Sequence, residues 1–202
     1  WWPFRRKSLD SLYVVGTLND VNADPTAVDP ISFAKGEYFY GLEVGYHWKR
    51  KFPFDFDHAH ASFWYSDGRS DPYDVPPIIP NSSGWGVKLA GEKQFDRVVL
   101  FGSYVYNTVE GGGLGLALAH QKASAGVVLL HPGKFNGEIG LGLGWMEPFF
   151  GLRNQYGANL YWKVLVSPNL WVTPDIQVIQ DPVLNPTVDT VGIFSLKFRW
   201  FF

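Results

Sequence analysis

The chain contains no cysteine and only one methionine among its 202 residues. Without cysteine it can form neither a disulfide framework nor a thiolate metal site. Charged residues are also scarce, at 18%, and the formal net charge is only -2. This balance gives no electrostatic basis for binding nucleic acid, so we expect no nucleic-acid partner.

Long apolar runs are missing as well. No stretch of about 18 consecutive apolar residues occurs, so the sequence predicts no transmembrane helix. The mean hydropathy of -0.07 looks like that of a soluble protein. Neither observation excludes a protein that crosses a membrane with strands, because polar and apolar residues alternate along such strands.

Aromatic residues and glycine are abundant instead. The chain has 9 Trp, 10 Tyr, 16 Phe and 22 Gly. Aromatic side chains favour strands, and a composition with few long helix-forming residues favours an all-β fold. At this length a single domain, residues 1–202, is the default expectation.

Alternation of apolar and polar side chains is clearest in residues 194–202. Successive side chains of a strand point to opposite faces, so this segment has one aromatic face and one cationic face. The first face holds Phe194, Leu196, Phe198, Trp200 and Phe202, and the second holds Ser195, Lys197 and Arg199. Such a strand suits lipid on one side and a watery lumen on the other. The alternative is the last strand of a β-sandwich core.

The same pattern predicts about ten strands of roughly 9 to 13 residues, the length that a tilted membrane-spanning strand needs. They cover residues 11–18, 36–48, 58–65, 84–93, 97–107, 114–130, 137–147, 155–166, 170–179 and 194–202. The polar segments 19–30 and 66–83 are predicted loops. The fold class is therefore an all-β, antiparallel transmembrane β-barrel.

Two parts of the strand assignment depart from regular alternation or regular pairing. Runs such as 98–101 and 127–130 lack alternation, so the faces of the strands at 97–107 and 114–130 are not assigned. Pro174 cannot donate a ladder hydrogen bond, and we expect a bulge or irregular pairing at that residue.

Several segments resemble the carbohydrate-selective porin (OprB-like) family of Gram-negative outer membranes. The matching segments, in order, are Leu12-Tyr13-Val14-Val15-Gly16, Asn22-Ala23-Asp24-Pro25-Thr26, Gly36-Glu37-Tyr38-Phe39, Leu42-Glu43-Val44-Gly45, Gly151-Leu152-Arg153-Asn154-Gln155-Tyr156, Ser167-Pro168-Asn169-Leu170, Thr173-Pro174-Asp175-Ile176-Gln177, Asp181-Pro182 and Asn185-Pro186. The resemblance runs over nearly the whole chain and is strongest after residue 150. Each segment is short, and their common order makes the match specific.

The resemblance implies a barrel of about sixteen antiparallel strands through which sugars diffuse. The match is to the C-terminal part of the family, and the chain opens abruptly on Trp1-Trp2. We therefore expect N-terminal strands to be missing, although ten is also a number that can close. The final strand resembles the one that the barrel-assembly machinery reads, with Phe194, Phe198, Trp200 and Phe202 as the insertion signal.

The polar faces define a candidate lumen wall. Carboxylates, cationic groups and amides can hydrogen-bond sugar hydroxyls, and aromatic rings can cover sugar C–H faces. The candidates are Glu37, Glu43, His47, Trp64, Lys88, Glu92, Glu138, Asn159, Tyr161, Lys163, Trp171, Asp175, Gln177, Lys197 and Arg199. For each of them, the alternative is a residue that only solvates and cross-links the inner wall.

Other chemistries fit the sequence less well. His58 and His60 share a strand face, but no third ligand accompanies them, so we expect no metal site. Asp55, Asp57 and His58 could suggest acid–base work, yet no GxSxG-like nucleophile context occurs. We expect no catalytic residues and no cofactor.

The predicted function is passive diffusion of sugars and other small hydrophilic solutes across the bacterial outer membrane. Outer-membrane lipid and the assembly machinery are the expected partners, and a homo-oligomer is compatible with the sequence. The alternatives are a general non-selective porin, a membrane-barrel enzyme acting on lipids, and a soluble β-sandwich lectin. The lectin alternative predicts a protein that stays monomeric without detergent.

Overall fold

The computed structural model describes residues 11–20, 36–48, 57–68, 83–108, 119–133, 136–149 and 151–200. These residues form ten β-strands, one at each predicted position. The strands are β1 (Ser11–Asp20), β2 (Tyr38–His47), β3 (His58–Ser66), β4 (Gly84–Phe95), β5 (Val98–Asn107), β6 (Ala119–Leu130), β7 (Gly137–Pro148), β8 (Gln155–Ser167), β9 (Leu170–Gln180) and β10 (Thr190–Trp200). In the described part of the chain, no helix is long and apolar enough to cross a membrane.

The ten strands form a single antiparallel sheet in which each strand pairs with its sequence neighbours, in the order β1 to β10. The predicted all-β antiparallel fold is thereby confirmed. Among the described residues β1 pairs only with β2 and β10 only with β9, so the sheet is open.

The connections at the two ends of the sheet differ in length. One end, called the long-loop end, carries the connections 21–37, 67–83, 108–118, 149–154 and 181–189. The other, called the short-turn end, carries the connections 48–57, 96–97, 131–136 and 168–169. The three longest connections all lie at the long-loop end, and both two-residue turns lie at the short-turn end.

The two-residue turns close the β4-β5 and β8-β9 hairpins. In the first, Asp96 has a φ of 52°, a left-handed conformation that aspartate tolerates because its short side chain can hydrogen-bond locally. The second is the turn at Pro168 and Asn169, as the sequence predicts. Tight hairpins fix the pairing register, and the register decides which side chains share a face.

Large hydrophobic side chains are exposed on every strand, whereas Val99, Phe149 and Val183 are the buried hydrophobic residues of the described part. A sheet in water normally buries its apolar face against a second layer. Here the apolar face is bare within the described residues. The less exposed side chains lie on the opposite, polar face.

The pairing register also assigns the faces of β5 and β6. Ser103 pairs with Ser124, and their hydroxyls are 2.7 Å apart. Lys88, on the polar face of β4, pairs with Val105 of β5. The polar face therefore includes apolar residues in β5, such as Val105 and the buried Val99. This mixture explains the lack of alternation in the sequence there.

Pro174 does not produce a bulge. The β8-β9 ladder passes from Tyr161–Asp175 to Val164–Val172 with the same register on both sides, so the pairing is interrupted opposite the proline without slipping. The register shift of this hairpin lies beside the turn instead, between Leu165 and Ser167. The predicted irregular pairing is confirmed, whereas the alternative prediction of a bulge at Pro174 is wrong.

Candidate functional site

The polar face of the sheet collects the residues that the sequence predicts for the lumen wall. Residues that pair directly across an antiparallel ladder point to the same face, and one register row runs from His47 through His58, Glu92 and Phe101. It continues through glycines on β6 and β7 to Asn159 and Gln177. The same parity places Glu43, His47, Trp64, Lys88, Glu92, Glu138, Asn159, Tyr161, Lys163, Trp171, Asp175, Gln177, Lys197 and Arg199 on this face. Glu37, which lies just before β2, is half-buried.

A first group of polar contacts, called the histidine cluster, consists of Tyr13, Glu43, His47, His58 and His60. The Tyr13 hydroxyl donates to Glu43 Oε1 at 2.8 Å, and its oxygen lies 2.8 Å from His58 Nε2. The imidazole rings of His47 and His58 are stacked, with centroids 4.2 Å apart and an interplanar angle of 16°. The His60 ring lies 4.9 Å from that of His58. The cluster spans three strands.

A glycine on β2 makes this cluster possible. Gly45 pairs with Tyr13 and with His60, and a Cβ at Gly45 would overlap the Tyr13 ring. The tyrosine therefore crosses β2 over this glycine and reaches His58 on β3. Glu43 is held from the other side as well, because the Ser62 hydroxyl donates to its Oε2 at 2.8 Å.

A second group, called the Asp175 network, consists of Asn159, Asp175, Gln177, Ser195 and Lys197. Asp175 is only 3% exposed. Its carboxylate accepts hydrogen bonds from Asn159 Nδ2 at 2.6 Å, Gln177 Nε2 at 2.8 Å and Ser195 Oγ at 3.1 Å. Lys197 Nζ lies 3.8 Å from Oδ2. A buried carboxylate needs such partners, and the network joins β8, β9 and β10.

A third group, called the Trp171 group, consists of Glu138, Tyr161, Lys163 and Trp171. Lys163 Nζ lies 3.5 Å from Glu138 Oε1 and 4.7 Å from the centroid of the Trp171 ring. The Tyr161 hydroxyl lies 3.4 Å from the same Glu138 oxygen. This group presents a carboxylate, an ammonium and an aromatic face side by side.

Arg153 clamps two connections together at the long-loop end. Its Nη1 lies 2.6 Å from Asp181 Oδ1 and 2.8 Å from Asp189 Oδ1, and its Nη2 donates to the Pro186 carbonyl at 3.1 Å. The hydrogen bond to Asp189 raises the pKa of the Arg153 guanidinium, with Asp181 adding to the effect. These contacts join three of the segments that carry the porin resemblance.

Some predicted residues lie apart from these groups. Trp64 lies over Gly86, where an added Cβ would overlap its ring, and Asn107 Oδ1 lies nearby. Arg199 pairs in register with Trp171. Phe202 lies outside the described residues.

Several residues that make contacts in these groups were not among the residues predicted for the lumen wall. Tyr13 was missed because the face of β1 was not assigned, and its only signal is the glycine opposite it. His58 and His60 were predicted to share one strand face, but neither they nor Ser62 were predicted as lumen residues. Within the described residues, no group of three or more His, Asp or Glu is arranged to hold a metal ion.

The exposed face carries aromatic residues at both of its ends. The belt at the long-loop end consists of Tyr38, Tyr40, Tyr65, Trp85, Tyr104, Tyr106, Trp145 and Tyr156. The belt at the short-turn end consists of Tyr46, Trp48, Phe95, Trp162, Phe198 and Trp200. The residues between the belts are mostly aliphatic, among them Leu42, Val44, Leu89, Leu100, Leu141, Leu143, Leu160, Ile176 and Leu196.

Neighbouring rings in these belts contact one another. The ring centroids of Trp85 and Tyr106 are 5.6 Å apart, and those of Tyr46 and Trp48 are 4.9 Å apart. From Tyr40 in one belt to Trp48 in the other, the chain advances about 26 Å.

Comparison with protein-family models, curated proteins and solved structures finds no match to this chain.

Proposed function

We propose that this chain forms the wall of an outer-membrane β-barrel channel through which sugars and other small hydrophilic solutes diffuse passively. The observation that carries the proposal is the arrangement of its two faces. The bare face is mostly aliphatic between two aromatic belts, and the opposite face carries the histidine cluster, the Asp175 network and the Trp171 group. Lipid solvates the first kind of face, and a water-filled lumen solvates the second.

The connections support the same orientation. Barrels of the outer membrane have short periplasmic turns and longer extracellular loops. The three longest connections of this chain share one end of the sheet, and the two-residue turns at 96–97 and 168–169 share the other. In the proposed orientation the long-loop end, with the Arg153 clamp, faces outward from the cell.

The proposal requires the open edges of the sheet to be paired in the membrane. Hydrocarbon offers no hydrogen-bond partner for the backbone groups along the free edges of β1 and β10. The two edges can pair with each other or with further strands. The resemblance to carbohydrate-selective porins, with about sixteen strands, favours further strands.

The Trp171 group suits neutral, hydroxyl-rich solutes. Glu138 and Lys163 can exchange hydrogen bonds with hydroxyls, and the Trp171 ring offers a flat apolar surface about one sugar ring in width. The alternative of a lipid-modifying enzyme has less support. Ser62 and Ser195 donate their hydroxyl hydrogens to Glu43 and Asp175, and neither hydroxyl is hydrogen-bonded to a histidine as in a Ser–His pair.

The decisive experiment is single-channel recording from the purified protein in a planar bilayer, with and without glucose or maltose. We expect steady conductance that added sugar partly blocks. Conductance that does not change when sugar is added would support a general, non-selective porin instead of a sugar channel. Absence of conductance from protein that is fully inserted, judged by protease protection in liposomes, would overturn the proposal.

A simpler test concerns the exposed face itself. An apolar surface of this size should make the protein aggregate in water and remain monodisperse only in detergent. A monomer that stays soluble without detergent would contradict a lipid-facing sheet and support the lectin alternative.

A further inference from the structure

The histidine cluster contains the largest group of titratable side chains on the polar face. Its members come from three strands: Tyr13 from β1, Glu43 and His47 from β2, and His58 and His60 from β3. Two further charged residues of the polar face, Lys88 and Glu92 of β4, pair in register with β3 beside the cluster. With neutral histidines, the two glutamates and the lysine give the described residues of this part of the wall one net negative charge. Imidazole is the side chain that changes its charge between about pH 5 and pH 8.

We propose that the neighbouring histidines His47, His58 and His60 determine the charge selectivity of the channel by taking up protons. One added proton cancels the net negative charge of this part of the wall, and a second makes it cationic. The inference rests on the proposed function, since it needs a conducting, water-filled lumen. It adds a specificity-determining set of residues to that function.

The hydrogen bonds of the cluster define where the proton is added to His58. The single hydroxyl hydrogen of Tyr13 is donated to Glu43, so the Tyr13 oxygen can only accept from His58 Nε2. The neutral His58 ring therefore carries its hydrogen on Nε2, and Nδ1 is the atom that takes up a proton. Protonation leaves the Tyr13 contact intact, so the charge changes without loss of the anchoring hydrogen bond.

The short distances between the rings couple their charges. Two cationic rings with centroids 4.2 Å apart repel each other, so a charge on one of His47 and His58 disfavours a charge on the other.

The test is the reversal potential in a KCl gradient across a planar bilayer, at about pH 7.5 and about pH 5. The variants are His47→Gln and the double variant His47→Gln with His58→Gln. Glutamine cannot be charged, and at position 58 its amide can still donate to Tyr13. The control is His131→Gln, because His131 is exposed in the connection between β6 and β7, separated from the cluster by β4 and β5.

We expect the wild type to shift toward anion preference at the lower pH. The single variant should lose part of this shift, the double variant most of it, and the control none. Acid also begins to neutralise carboxylates, but that contribution is common to all four proteins. A double variant that conducts and keeps the full shift would overturn the inference and leave the proposed function standing. Absence of conductance in inserted wild-type protein would overturn both.

Discussion

The amide of Asn159 donates a 2.6 Å hydrogen bond to the carboxylate of Asp175, which is the most buried charged group of the described residues. Asp175 holds three strands together through its acceptor oxygens. Replacing it by asparagine removes the charge. It also replaces one acceptor oxygen by an NH2 group, which would then face a donor NH2 group of Asn159 or Gln177. We expect Asp175→Asn to lower the free energy of unfolding by about 1.5 to 3 kcal/mol, the range for hydrogen bonds to a charged group.

Urea denaturation in detergent micelles, followed by tryptophan fluorescence, measures this effect. Asp96→Asn is the matched control, because Asp96 is exposed and asparagine also tolerates its left-handed conformation. The control should stay within about 0.5 kcal/mol of the wild type. Equal stability of both variants would mean that the Asp175 network does not cross-link the wall.

Position 45 should not tolerate a larger side chain than glycine, because the Tyr13 ring occupies the space beside it. A side chain there would push the ring off β2 and break its contacts with Glu43 and His58. We expect Gly45→Val to destabilise the protein by about 1 to 3 kcal/mol, the usual cost of overpacking. Gly16→Val is the control, because a Cβ at Gly16 meets nothing within 4 Å. If both variants unfold at the same urea concentration, the tyrosine does not pack over Gly45.

The strands and most of their faces were predictable because each strand alternates between an apolar and a polar face. The sequence left the faces of β5 and β6 unassigned, and in β5 Val99 and Phe101 lie on the polar face. The Phe101 ring lies where a Cβ on Gly126 would be, so an apolar residue is accommodated by a glycine on the neighbouring strand. Alternation alone does not encode such a pairing, because it depends on the register between strands.

The sequence predicted which residues lie on the polar face better than it predicted the contacts between them. Tyr13 meets Glu43 and His58 across separations of 30 and 45 residues, and the crossing depends on Gly45. No local pattern marks that relationship. By contrast, the polar residues of β8, β9 and β10 alternate regularly, and β8 and β9 are joined by a two-residue turn. The Asp175 network therefore draws mostly on residues that the sequence already indicated.

Lys197 should influence the ion selectivity of the channel because it lies on the polar face, beside Asp175. Lys197→Glu reverses a charge there, and we expect the reversal potential to shift toward cations. Lys93→Glu makes the same charge change on the opposite face, where Lys93 pairs with Asp57 at 2.9 Å. The control should leave selectivity unchanged. An equal shift in both variants would show that the assigned faces do not separate lumen from lipid.

A pair of substitutions on β8 tests whether the exposed face lies in lipid. Leu160 and Tyr156 are both 48% exposed on that face, but Leu160 is central and Tyr156 is in the belt at the long-loop end. Arginine at the middle of a bilayer costs about 2 to 4 kcal/mol, and near the interface about 0 to 1 kcal/mol. We expect Leu160→Arg to reduce the free energy of unfolding from liposomes by the larger amount and Tyr156→Arg by the smaller. In water the two equally exposed positions would respond alike, so equal costs in liposomes would place this face outside the membrane.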